Sequence, residues 1–100
     1  MTKLVREDIF VEVMTVVEIK DCVRKDVPIY YRRVFTGVAA IEIAGKVCDL
    51  ALDWTIETSP FGTKEIAITL LGQVDYPLLP LIKELKKKID EIDAEGGLPL

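Results

Sequence analysis

The stretch VCDLALDWTIET, residues 47–58, alternates strictly: Cys48, Leu50, Leu52, Trp54 and Ile56 fall on one side, Asp49, Asp53 and Glu57 on the other. Successive side chains of a strand point to opposite faces, so the pattern describes a strand with one buried and one wet face. Two turn signals bracket it. Ahead of it, Gly45 in AGK makes a tight link. Behind it, TSPFGT puts Pro60 at the second turn position and Gly62 where a left-handed residue closes a hairpin. A strand held between two hairpin turns has an antiparallel neighbour on each side, and the fold grows outward from it.

The neighbours carry the same signature. A long strand spans Ile29 to Ala44, and Lys64 to Leu71 offers Ile66, Ile68 and Leu70 on one side. A first strand, about Asp8 to Lys20, sets Ile9, Val11, Val13, Val17 and Ile19 on one face, interrupted by Thr15. Beyond GQVDYPLLP the period changes. Leu81, Ile82, Leu85, Ile89 and Ile92 recur at helical spacing over Pro80 to Ala94. Pro80 suits a first turn, where its missing N–H is not needed, and Gly96 and Gly97 supply a left-handed stop. The expectation is one α+β domain over residues 1–100. It is a four-stranded antiparallel β-meander followed by one C-terminal helix packed on one sheet face (ββββα), with the first hairpin extended as an arm.

Register follows from the turns, because a one-residue slip would turn every side chain over. Pairing Ala44 with Val47 sets Ile43 against Cys48, Ile41 against Leu50, Ala39 against Leu52 and Gly37 against Trp54. Across a link at 20–28, Ile19 opposes Ile29, Val17 opposes Tyr31, Thr15 opposes Arg33 and Val13 opposes Phe35. This arrangement divides the stretch PIYYRRVFTG, residues 28–37: Tyr31, Arg33 and Phe35 face the helix, while Tyr30, Arg32 and Val34 face away. Thr15, Arg33, Thr58 and Lys64 form a polar row across the covered face, level with the Pro60 turn. On the outer face Phe10 opposes Val38 and Met14 opposes Val34, with Val16 close by. A solvated sheet face should be polar there. Phe10, Met14, Val16, Val34 and Val38 are therefore the expected oligomer interface.

Composition bounds what the chain does. Half of its 100 residues are hydrophobic, and 13 basic residues against 17 acidic ones give a net charge of −4, which disfavours a general polyanion binder. There is no histidine, and the two cysteines have no metal-like spacing. Cys48 reads as inert core. Cys22 stands in KDCVRKD among cations that would lower a thiol pKa, which makes it the one candidate for redox reactivity. Asp49, Asp53 and Glu57 resemble a carboxylate ladder, but strand residues four apart lie about 13 Å from one another, too far to share a metal. Their ordinary meaning is a solvent face. No phosphate loop, dinucleotide fingerprint or metal cluster is present, so neither cofactor nor catalytic residue is expected. MTKLVREDIF is charged where a signal peptide would be apolar, and no apolar run reaches the roughly 20 residues of a membrane span. A cytoplasmic protein is the expectation.

Two function classes remain. The first is a non-enzymatic binding or assembly module, homodimeric through the outer sheet face or the arm, with a second protein as a further partner. In that reading the basic segment 20–33 of one subunit meets Asp90, Glu91, Asp93 and Glu95 of another. The alternative is a single-stranded nucleic-acid binder contacting its ligand through Tyr30, Tyr31, Arg32, Arg33 and Lys25, since aromatic rings and cations together hold single strands. The order of four strands and a helix resembles that of dimeric single-strand-binding coactivators and the Pur-type repeat. That resemblance, of architecture alone, implies the same alternative.

Overall fold

The structure, a computed structural model, describes residues 14–100. Its elements are β1 (Met14–Lys25), β2 (Arg32–Ile43), β3 (Lys46–Thr58), β4 (Lys64–Leu70) and α1 (Leu78–Ala94). The strands form one antiparallel sheet in the order β1-β2-β3-β4, and α1 returns across one face. This is the expected ββββα architecture.

Alternation builds the covered face. Phe35, Ala39 and Ile41 from β2 and Leu50, Leu52, Trp54 and Ile56 from β3 are buried there. The helix meets them with Leu81, Leu85 and Ile89, four residues apart on one stripe, each fully buried. Leu98, beyond the Gly96 stop, joins the same core, so the C-terminal tail folds under the helix side of the sheet. The helix begins two residues earlier than its periodicity suggests, with Pro77 as its N-cap residue. Pro80 still lies in the first turn, where no N–H is required.

The β2–β3 partners differ from expectation by two residues. The turn is Ala44–Gly45, both with positive φ (52° and 81°), and Ile43 pairs with Lys46. Such two-residue turns twist with the strands and need two left-handed residues, a constraint that Gly45 alone does not reveal. A shift of two leaves every side chain on its expected face. Trp54 thus pairs with Phe35, their rings stacked at 5.5 Å and 17°. Gly37 nevertheless lies beneath the indole: a Cβ there would sit 3.0 Å from Trp54 Cη2 and 3.2 Å from the Lys20 carbonyl oxygen.

The first strand departs further. β1 continues to Lys25 and is interrupted by two register shifts, between Val16 and Glu18 and between Lys20 and Val23. Asp21 takes a left-handed φ of 54° at the second. Each shift inserts a residue and reverses the alternation. The residues turned to the core are therefore Met14, Val16, Ile19 and Cys22, a spacing of two, three and three. Met14 pairs with Ile43 and Val16 with Ile41, not with residues near Val34. Met14 and Val16 are core residues, which corrects their expected place on the outer face.

The hairpin connection is correspondingly 26–31. β3 accompanies β2 through this extension, and the Thr58 N–H donates to the Tyr31 carbonyl at 3.0 Å. Cys48 keeps its expected parity yet is exposed, correcting its reading as core. β4 stops at Leu70, opposite Leu52, so residues 46–50 have no neighbour on that side. Among the described residues, no helix is long and apolar enough to cross a membrane.

Candidate functional site

Three surfaces carry the residues singled out from the sequence: the outer sheet face, the helix C-terminus, and the sheet end where the 26–31 turn meets the β3–β4 hairpin.

On the outer face the carboxylate ladder of β3 is occupied rung by rung. Lys20 Nζ lies 3.2 Å from Asp49, Lys25 Nζ 3.6 Å from Asp53, and Arg32 Nε donates to Glu57 at 2.6 Å. Lys20 and Lys25 sit on β1, two strands away, so their stems must cross β2 to reach β3. They cross at Val38 and Val34, their own cross-strand partners. Lysine stems cover apolar surface while the charge stays wet. Val34 and Val38 do face outward, as expected, but only half-exposed beneath this cover. Phe10 lies outside the described residues. The structure therefore does not bring the expected five-residue interface together.

At the helix C-terminus, Arg33 grips Asp93 with two hydrogen bonds, Nη1 to Oδ1 at 2.8 Å and Nη2 to Oδ2 at 3.0 Å. Lys64 Nζ adds a third at 2.9 Å and reaches Asp90 at 2.7 Å. The polar row of the covered face is real at Arg33 and Lys64, and its function is to receive the acidic helix end. Hydrogen bonding from Arg33, and then from Lys64, holds the Asp93 carboxyl well below the usual range, at about 2. The same contacts raise the Arg33 and Lys64 pKa values. The basic-to-acidic pairing expected between subunits is satisfied within one chain, for Asp90 and Asp93 at least.

Cys22 is not in a basic loop. It is half-buried in β1, its Sγ 3.9 Å from the Ile19 carbonyl oxygen. Burial, and then the neighbouring Asp21, push the thiol pKa up, so the expected activation by cations does not operate. Among the described residues, no group of three or more His, Cys, Asp or Glu side chains is placed to hold a metal ion.

The sheet end is different. Tyr30 is 98% exposed and Tyr31 is 50% exposed, their rings edge-to-face with centroids 5.9 Å apart. Across from them stand Ser59, Pro60 and Thr63 of the β3–β4 hairpin, with Glu57, Lys64 and Glu65 at the rim. The cleft between has a volume of about 820 Å³. The hairpin wall is pinned by its own chemistry: Ser59 Oγ accepts from the N–H groups of Phe61 and Thr63 at 3.1 and 3.2 Å, and Gly62 supplies the left-handed residue (φ 85°). Phe61 at the tip is 94% exposed.

Of the five residues expected to contact a ligand, only Tyr30 and Tyr31 line this cleft. Lys25, Arg32 and Arg33 are each engaged by a carboxylate of the same chain. Ser59, Pro60 and Thr63 are legible in the sequence only as turn residues, because nothing in TSPFGT says that the first hairpin's turn folds level with it.

A family model described as the BB_0187 family matches residues 9–94. The chain belongs to that family. The match runs from ahead of β1 to the last residue of α1, so the whole described sheet and helix are the family's fold. No curated protein and no solved structure matches this member of the family.

Proposed function

We propose that the chain is a small non-enzymatic binding and assembly module whose contact surface is the tyrosine-lined end of the sheet, taking an extended segment of a protein partner. The observation that carries this reading is the convergence of Tyr30 and Tyr31 with Pro60 around one open cleft. Exposed tyrosines cost little conformational entropy to immobilise, offer large amphipathic contact area, and are enriched where proteins bind one another. Both cleft walls are anchored in the sheet, one through the Thr58-to-Tyr31 hydrogen bond and the other through Ser59, so little ordering is required on binding.

Selection from a displayed library of random peptides tests it. Enriched peptides should shift backbone resonances at 30–31 and 58–65, and Tyr31→Ala should weaken binding about tenfold or more. Peptides that bind wild type and variant equally would end the reading.

Single-stranded nucleic acid is the second reading, favoured by the two adjacent exposed rings, since base stacking contributes about 1–3 kcal/mol per base. Its weakness is that Lys25, Arg32 and Arg33 all have carboxylate partners. Retention of an oligothymidine at low salt, lost in Tyr30→Ala, would replace the protein-partner reading with this one.

A further inference from the structure

The two edges of the sheet are built in opposite ways. β1 has two register shifts, a left-handed Asp21, and the charges of Glu18, Lys20, Arg24 and Lys25. Bulges and charges of this kind stop an edge from pairing with another strand. β4 has none of these beyond its first two residues: Ile66-Ala67-Ile68-Thr69-Leu70 is an unbroken run with an unshifted register to β3. Among the described residues, no strand lies beside it.

The direction of its free peptide groups follows from the pairing. Antiparallel pairs alternate between exchanging both backbone bonds and exchanging none. The Leu71 N–H donates to Ala51 and the Ser59 N–H to Thr63, both at 2.9 Å. On the same alternation, Glu65, Ala67 and Thr69 bond to β3. The peptide groups of Lys64, Ile66, Ile68 and Leu70 therefore point away from the sheet.

We propose that β4 pairs with β4 of a second copy of this chain, antiparallel and centred on Ala67, joining two sheets into one of eight strands. This register sets every outward-pointing residue against another: Ile66 against Ile68, and Lys64 against Leu70, in both directions. Glu65 meets Thr69, and no like charges face each other. The half-exposed Ile66, Ile68 and Leu70 continue the helix-covered face across the join. At the two-fold centre, Ala67 meets Ala67 in a pair without backbone bonds, where the Cα atoms approach to about 4.5 Å and a small side chain suits. The proposal is independent of the tyrosine cleft, which lies at the end of the sheet rather than along its edge.

The test uses the full chain. Ala67 is exposed on the outer face, so Ala67→Lys and Ala67→Glu leave the core intact, which circular dichroism verifies. Light scattering should give wild type a mass twice 11.2 kDa, and each variant alone should self-associate at least about tenfold more weakly, since like charges directly opposite repel. Mixing the two variants should restore the dimer. A monomeric wild type at sub-millimolar concentration would overturn the proposal and leave the edge to residues 1–13 or another partner. A dimer that both variants preserve would also overturn it, and a dimer split by Tyr31→Ala would move the interface to the cleft.

Discussion

The two faces of the sheet use charge in opposite ways. On the outer face, three cations reach three carboxylates in the open, and Lys20 and Asp49 remain largely exposed. On the inner face, one carboxylate, Asp93, is 12% exposed and receives hydrogen bonds from two cations, one of them a bidentate arginine. Exposed pairs gain little, because water screens them and long side chains must be ordered. A partly buried bidentate pair gains more, and losing one member strands the other. The outer pairs mainly lay lysine stems over β2, whereas the inner cluster docks the helix end onto the sheet.

The comparison can be broken at several points, from the largest effect down. Phe35→Ala should cost about 3–5 kcal/mol in chemical denaturation, because it empties a fully buried site beneath the stacked indole. Gly37→Ala should cost about 1–3 kcal/mol, since the added methyl meets both the Trp54 ring and the Lys20 carbonyl; near-ultraviolet dichroism should report the displaced indole.

Asp93→Asn should cost on the order of 2 kcal/mol at neutral pH. The sign of its pH dependence follows from the depressed pKa. The folded carboxyl titrates at about 2, below its unfolded value near 3.8, so its contribution is complete above that unfolded value and is lost as pH falls toward 2. Wild type and Asp93→Asn should thus converge in stability as acid is added across that window, and a constant gap would contradict the assignment. On the outer face Lys25→Ala should change stability by no more than about 0.5 kcal/mol. A larger loss there would mean that the lysine stems over β2 do more than exposed ion pairs ordinarily do.

How much of this is legible in the chain of residues alone depends on the element. In β3, strict alternation and two turn signals put each side chain on its correct face. In β2 the faces survive even though the partners move by two residues, because parity is indifferent to a shift of two. In β1 neither faces nor partners survive. The bulges after Val16 and Lys20 break the period on which the reading depends, and KDCVRKD, polar and charged, has the composition of a loop. The candidate site suffers similarly. Tyr30 and Tyr31 stand out for their chemistry, but their opposite wall belongs to a turn nearly thirty residues away.

The sequence by itself determined the order of elements, the buried side of β2, β3 and β4, the stripe of α1, and the inward placement of Arg33 and Lys64. Each of these rests on a local period, and a period is written in neighbouring residues. Only the tertiary structure decided which strand residues are partners, that Met14 and Val16 are core, that Asp93 is the acceptor for Arg33 and Lys64, and that two distant turns enclose one cleft. Those depend on inserted residues and long-range register, which are settled by the packing of the whole sheet against its helix rather than by any single stretch of chain.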